Sequence, residues 1–164
     1  MSRSMSTHVP SPAATSFPAG TRVAVVAARF NAHIVEELLA GCLRKLSQMG
    51  LRDDAIDVHR VPGAFELPVA AKVLAQTKRY GAVVCLGCVI RGDTPHFDYV
   101  AGECARGIQQ VAISESLPVI FGVLTTNTEE QAQARTGGSH GHAGEWAAQA
   151  AAEMVDLVTR ARAK

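Results

Sequence analysis

The feature that most constrains this chain is an alternation. Short apolar runs of strand length recur along it, separated by longer segments whose apolar residues repeat every three to four positions. Arg22–Ala28 is a Val-rich run that predicts a buried strand. Asn31–Met49 follows with Ile34, Leu38, Cys42 and Leu46 four apart, a helical stripe that Gly50 ends. The pattern continues with a strand at Ala55–Val61, a helix at Phe65–Lys78 and a strand at Gly81–Ile90. Pro68 is tolerable in that second helix because it falls in the first turn. Thr94 then predicts an N-cap with Pro95 at the first helical position, and the helix runs to about Ser116. Pro118–Leu124 is a fourth strand, Thr128–Arg135 a short helix opened by a capping box, and Glu145–Ala161 the last helix.

Continuous apolar strands alternating with helices predict an α/β fold. Its expected form is a three-layer αβα sandwich around a four-stranded, mostly parallel, flavodoxin-like sheet. The chain has 164 residues, which suits one domain. Residues 1–20 are rich in Ser, Pro, Ala and Thr and read as a disordered tail, leaving 21–164 as the domain. The formal net charge is +1 with no run of like sign, so nothing suggests nucleic acid or a membrane surface. No apolar stretch reaches the length of a membrane span or a secretion signal, so the expectation is a soluble, cytoplasmic protein.

Cys85 and Cys88 spell C-x-x-C, the spacing of metal and redox sites. They lie inside a strand, where side chains three apart point to opposite faces. Their Cα atoms would be roughly 10 Å apart, beyond disulfide reach. The expectation is therefore four reduced, buried thiols and no metal site. His140-Gly-His142 lies in a Gly-rich stretch without a third ligand and reads as a solvated loop.

In such sheets, sites lie beyond the carboxyl ends of the strands. Four loops are picked out: Arg29–Asn31, Pro62–Glu66, Arg91–His96 and Thr125–Thr128. Gly87-x-x-x-x-Gly92-Asp93-Thr94 has the outline of a phosphate loop, but Asp93 stands where the lysine should be, which argues against a nucleoside triphosphate. Gly92, Asp93 and Thr94 nonetheless lead into a helix N-terminus, where free N–H groups favour an anion. A well-capped helix start with no ligand fits those residues equally well. His96 is either a proton carrier beside that anion site or an ordinary surface histidine. Arg135 either pairs with a phosphate or complements a helix C-terminus. Phe30 and Glu66 suit an aromatic ring and a set of hydroxyls, although a core Phe and a solvated Glu are the commoner roles. Phe121 reads as buried in its strand on spacing alone.

Taken in order, Arg29-Phe30-Asn31, Val61–Pro68, Gly87–Tyr99, Pro118–Thr126 and Glu129–Ala132 resemble the 6,7-dimethyl-8-ribityllumazine synthase family from about Thr21 onward. The resemblance implies a transferase acting in riboflavin biosynthesis. It would condense 5-amino-6-(D-ribitylamino)uracil with 3,4-dihydroxy-2-butanone 4-phosphate, through a Schiff base, phosphate elimination, ring closure and loss of water. No cofactor or metal is implied. By the same resemblance Phe30 stacks on the pyrimidine, Ala64, Phe65 and Glu66 hold the ribitylamino-uracil, and Cys88, Val89 and Ile90 line the ring pocket. Asp93 and Thr94 bind phosphate through backbone N–H groups, Arg135 pairs with it, and His96 moves protons. Phe121 comes from a neighbouring subunit. The expected assembly is a homo-oligomer with sites between the subunits of a pentamer, extending to an icosahedral 60-mer, with riboflavin synthase as a partner. One departure stands out: the family's lysine-bearing phosphate stretch is replaced by Gly138–Gly144, in which His140 or His142 is the candidate substitute. The rival readings are a lumazine or flavin carrier, a shell protein with vestigial catalysis, and a flavodoxin-like domain. A carrier needs neither a proton shuttle nor a phosphate clamp, and a flavodoxin-like domain fits the fold pattern but not the motifs.

Overall fold

A computed structural model of the protein describes residues 16–163. Most of the predicted tail, residues 1–15, lies outside the described residues. From Ser16 the chain follows the domain: the Phe17 N–H bonds to the Met49 carbonyl at 3.3 Å, and its ring packs against the core.

The elements are β1 (Val23–Ala28), α1 (Ala32–Gln48), β2 (Ile56–Val61), α2 (Leu67–Gln76), β3 (Ala82–Ile90), α3 (His96–Glu115), β4 (Val119–Thr126), α4 (Glu129–Gln133), β5 (Thr136–Gly138), β6 (Gly141–His142) and α5 (Ala143–Arg162). The first four strands form one parallel sheet in the order β2-β1-β3-β4. The central strands β1 and β3 carry Val, Ala, Leu and Cys at nearly every position and are buried on both faces, as parallel strands under helices must be. One core cluster joins the sheet to α1 and α5, the other joins it to α2 and α3. The three-layer expectation is met.

Cys85 and Cys88 fall in different clusters, one on each side of the sheet, as the strand argument requires. All four cysteines are free and buried. Burial pushes the Cys42 thiol up to about 12 and the Cys104 thiol to about 11, since a thiolate there would be stripped of water.

Several boundaries differ from the sequence expectation. Helix α3 starts at His96 with Pro95 as its cap residue, one position later than expected; the Thr94 hydroxyl still accepts weakly from the His96 N–H at 3.4 Å. The segment 64–66 forms a short 3₁₀ turn before α2. The stretch 137–144, expected as a solvated loop, is a small antiparallel hairpin running straight into α5. Its His142 is buried, and its Nδ1 accepts from the Gly144 and Glu145 N–H groups at 3.1 and 3.3 Å. A histidine ring has replaced the usual Ser, Thr, Asp or Asn at this helix start. The ring lies where a side chain at Gly41 would be, and a Cβ at Gly144 would fall on the Leu38 carbonyl. Two glycines thus let α1, α5 and the imidazole approach closely.

The sheet is doubly wound. From β1 the chain crosses to β2 on one side, then returns past β1 to β3 on the other. The switch point lies between β1 and β3, and their carboxyl ends open a crevice there.

Candidate active site at the switch point

Each loop at the crevice is shaped by local chemistry. After β1, Asn31 adopts the left-handed conformation (φ 58°), which Asn tolerates better than most residues. Its Nδ2 donates to the Cys88 carbonyl at 2.9 Å, tying the end of β1 to β3. This leaves Phe30 projecting, 71% exposed, at the rim. Such a ring gains nothing from the core and is free to cover a flat ligand. After β2, one Glu66 carboxylate oxygen accepts the Gly63 N–H at 3.1 Å, holding the carboxylate over the turn with its other oxygen open to a ligand. After β3, Gly92–Pro95 lead into α3, whose first residue is His96.

Together these loops enclose a cavity of about 680 Å³. Phe30, Ala64, Phe65, Glu66, Cys88, Val89, Ile90, Thr94 and His96, all singled out from the sequence, line it. Asp93 does not, although its neighbours Gly92 and Thr94 do. The Asp93 side chain thus stands off the cavity, and Gly92 and Thr94 on either side of it form that part of the wall. Cys88 is almost fully buried, and desolvation, reinforced by Glu129, pushes its thiol up to about 11. It contributes shape and a backbone carbonyl here, not a nucleophile.

Sequence reasoning named Asn31, Phe97 and Tyr99 only within motifs, without a role of their own, and gave Val100 no part in the site. The last three line the same cavity. Their signal was available: positions 96, 99 and 100 share a helix face, so a ligand beside His96 also meets Tyr99 and Val100.

Phe121 and Arg135 are not brought to this cavity. They line a second hollow of about 430 Å³, shared with Trp146. Phe121 pairs with Cys85, five residues before Ile90, hence roughly 16 Å back along the strands. The expectation of a buried Phe121 is corrected: β4 is an edge strand, and the ring is 43% exposed. Arg135 follows α4, its Nη1 donating to the Gln131 carbonyl at 2.8 Å. His142 is buried, and its Nδ1 is occupied in capping α5. His140 remains exposed at the hairpin, its Nδ1 3.1 Å from the Ser139 hydroxyl. Residues 137–141 also spell G-x-S-x-G, but Ser139 sits on this hairpin and not on the strand-to-helix elbow a hydrolase nucleophile needs.

Among the described residues no three His, Cys, Asp or Glu side chains gather as metal ligands would, and no helix is long and apolar enough to cross a membrane.

Fold and cavity define a doubly wound α/β protein with a largely apolar, ring-sized site at its sheet switch point, edged by a carboxylate, an imidazole and a helix N-terminus. Residues 20–159 match the model of the 6,7-dimethyl-8-ribityllumazine synthase family, and the chain belongs to that family. It is 50% identical over 141 residues to a 6,7-dimethyl-8-ribityllumazine synthase of Xanthomonas oryzae pv. oryzae (strain PXO99A), covering 86% of this chain and 92% of the relative. It is 47% identical over 143 residues to the enzyme of the same name from Xylella fastidiosa (strain 9a5c), covering 87% and 93%.

Proposed function

We propose that this protein condenses 5-amino-6-(D-ribitylamino)uracil with 3,4-dihydroxy-2-butanone 4-phosphate to 6,7-dimethyl-8-ribityllumazine, releasing phosphate and water. The observation that carries this reading is the single cavity formed by Phe30, the 64–66 turn, the 88–90 strand end and His96, in a chain of this family. Phe30 stacks on the pyrimidine, and the backbone of Cys88–Ile90 reads its edge. Glu66 accepts hydrogen bonds from ribityl hydroxyls. The phosphate rests on the backbone N–H groups of Asp93 and Thr94 and pairs with Arg135.

The chemistry needs alignment more than activation. The 5-amino group adds to the ketone and a first water leaves to give the Schiff base. The proton on C3 is then removed as phosphate departs from C4 as the anion, and the enol left behind takes up a proton at C4 to become a methyl ketone. The ribityl-bearing nitrogen closes the ring on this new carbonyl, and a second water is lost. His96 takes the proton from the attacking amine and returns one to the departing oxygen. Holding two reactants in register removes most of the entropic barrier, and no cofactor is required.

The separation of Phe121 and Arg135 from the cavity supports a site shared between subunits. One face of the chain carries the cavity and a stripe of exposed Phe65, Val69 and Val73. Another carries exposed Phe121 and Trp146. Two different apolar faces on one chain suit a head-to-tail contact, which closes into a ring. The resemblance makes that ring a pentamer and extends it to a 60-mer. It also makes riboflavin synthase, which consumes the product, a partner. Four unpaired thiols agree with a cytoplasmic setting.

The test mixes purified protein with both substrates and follows lumazine absorbance and phosphate release against an enzyme-free control. Turnover saturating in both substrates, with Arg135→Ala raising the phosphate-substrate KM roughly tenfold, is expected. A rate no faster than the spontaneous condensation, from a folded oligomer that still binds a lumazine, would transfer the reading to a carrier.

A further inference from the structure

Arg91 lines no part of either hollow, yet it is bonded toward both. Its backbone N–H bonds to the Thr126 carbonyl at 2.9 Å, where β3 and β4 end side by side. Its guanidinium lies 4.4 Å from the centre of the Phe97 ring, and Asp98 is 3.6 Å from Nη1. Phe97 is a wall of the cavity and the neighbour of His96 in the first turn of α3. In the other direction, Arg91 Nε donates to Asn127 Oδ1 at 3.1 Å. The Asn127 N–H in turn donates to the Gln131 side chain at 2.8 Å, and the Gln131 carbonyl accepts from Arg135 at 2.8 Å. An unbroken chain of contacts therefore runs from the loop beside His96 to the cation singled out for the phosphate.

We propose that Arg91 is a positioning residue for phosphate recognition. It clamps the Gly92–His96 loop and the Arg135 arm in fixed relation through Phe97 on one side and Asn127 on the other. The inference rests on the synthase reading above. In a head-to-tail ring the loop would serve the chain's own cavity and the arm its neighbour's, so one guanidinium sets two half-sites. A lysine does not replace it: an ammonium has the charge, but not the planar face for Phe97 together with a fixed donor for Asn127.

The test compares unaltered protein with Arg91→Lys, Asn127→Ala, the double variant and Asn127→Asp, which keeps the acceptor oxygen. KM is measured for each substrate separately, with the inhibition constant of inorganic phosphate. Loss of one charge-assisted hydrogen bond should raise the phosphate-substrate KM and the phosphate inhibition constant by roughly fivefold. The KM for the ribitylamino-uracil should hold. The double variant should be no worse than Arg91→Lys alone, since that change already removes the Asn127 contact, and Asn127→Asp should restore the native values. Equal losses for both substrates, additive losses, or no restoration by Asn127→Asp in variants of native oligomeric mass would overturn the assignment. Absence of turnover in the unaltered protein would remove the synthase reading itself, a result separable from unaltered kinetics in the variants.

Discussion

At the scale of single residues, the site divides into groups that touch substrate and groups that hold the fold. His96, which lines the cavity, falls in the first on the proposed reading. Because alignment supplies most of the acceleration, His96→Ala should slow turnover by about 10²–10⁴-fold, the usual contribution of one general acid or base, and still leave a rate above the uncatalysed condensation. Complete loss in a variant that folds and binds both substrates would mean the imidazole does more than move protons. His142 belongs to the second group. Its Nδ1 satisfies two N–H groups at the start of α5 that would otherwise be unpaired. His142→Ala should cost about 1–2 kcal/mol in urea unfolding, and His142→Asn should recover part of it because Asn caps well. Equal stability of all three proteins would show that water replaces the ring. The two histidines look alike in sequence, and only their surroundings separate them.

Among the elements, the amino end of the sheet is fastened by a small charged cluster. Asp57 on β2 accepts from the Tyr80 hydroxyl at 2.6 Å and from Arg22 Nη2 at 3.1 Å. The Tyr80 hydroxyl first, and then Arg22, hold its carboxyl below the usual carboxylate range. A carboxyl with a depressed folded pKa favours the folded state above its unfolded value, near 3.9. That advantage is lost as pH falls through the folded value. Asp57→Asn should therefore lower the melting temperature at pH 7 and flatten its fall on the acid side. A variant that melts in parallel with the unaltered protein from pH 7 down to pH 3 would place the acid sensitivity elsewhere. The carboxyl end is fastened partly by uncharged groups, such as Asn31 on the Cys88 carbonyl, and partly by Arg91, which is bonded to Asn127 and lies 3.6 Å from Asp98.

At the scale of the whole molecule, the chain displays more apolar surface than a monomer comfortably exposes. Phe30, Phe65, Val69, Tyr99 and Trp146 are all more than half exposed. Phe30 and Tyr99 belong to the cavity, whereas Val69 and Trp146 belong to the two faces assigned to subunit contact. Trp146→Glu and Val69→Glu, each placing a charge on one face only, should both reduce the oligomer's mass in light scattering. Both should also lower activity, because Phe121 and Arg135 would no longer reach the cavity. An intact oligomer in both variants would place the interface elsewhere.

Much of this was legible in the sequence. The β-α alternation decides the layers, since a strand apolar at every position must be covered on both sides. Strand order then places the cavity at the carboxyl ends, and nine of the residues singled out beforehand meet there. What the sequence could not decide depends on which surfaces meet in space. Phe121 and Ile120 look equally buried in a row of apolar residues, and only the edge position of β4 turns one ring outward. His142 looks like a loop residue until Gly41 and Gly144 make room for its ring between α1 and α5. Periodicity records which side of an element is apolar. Whether that side faces core, ligand or another copy of the chain is decided by packing, which no local pattern contains.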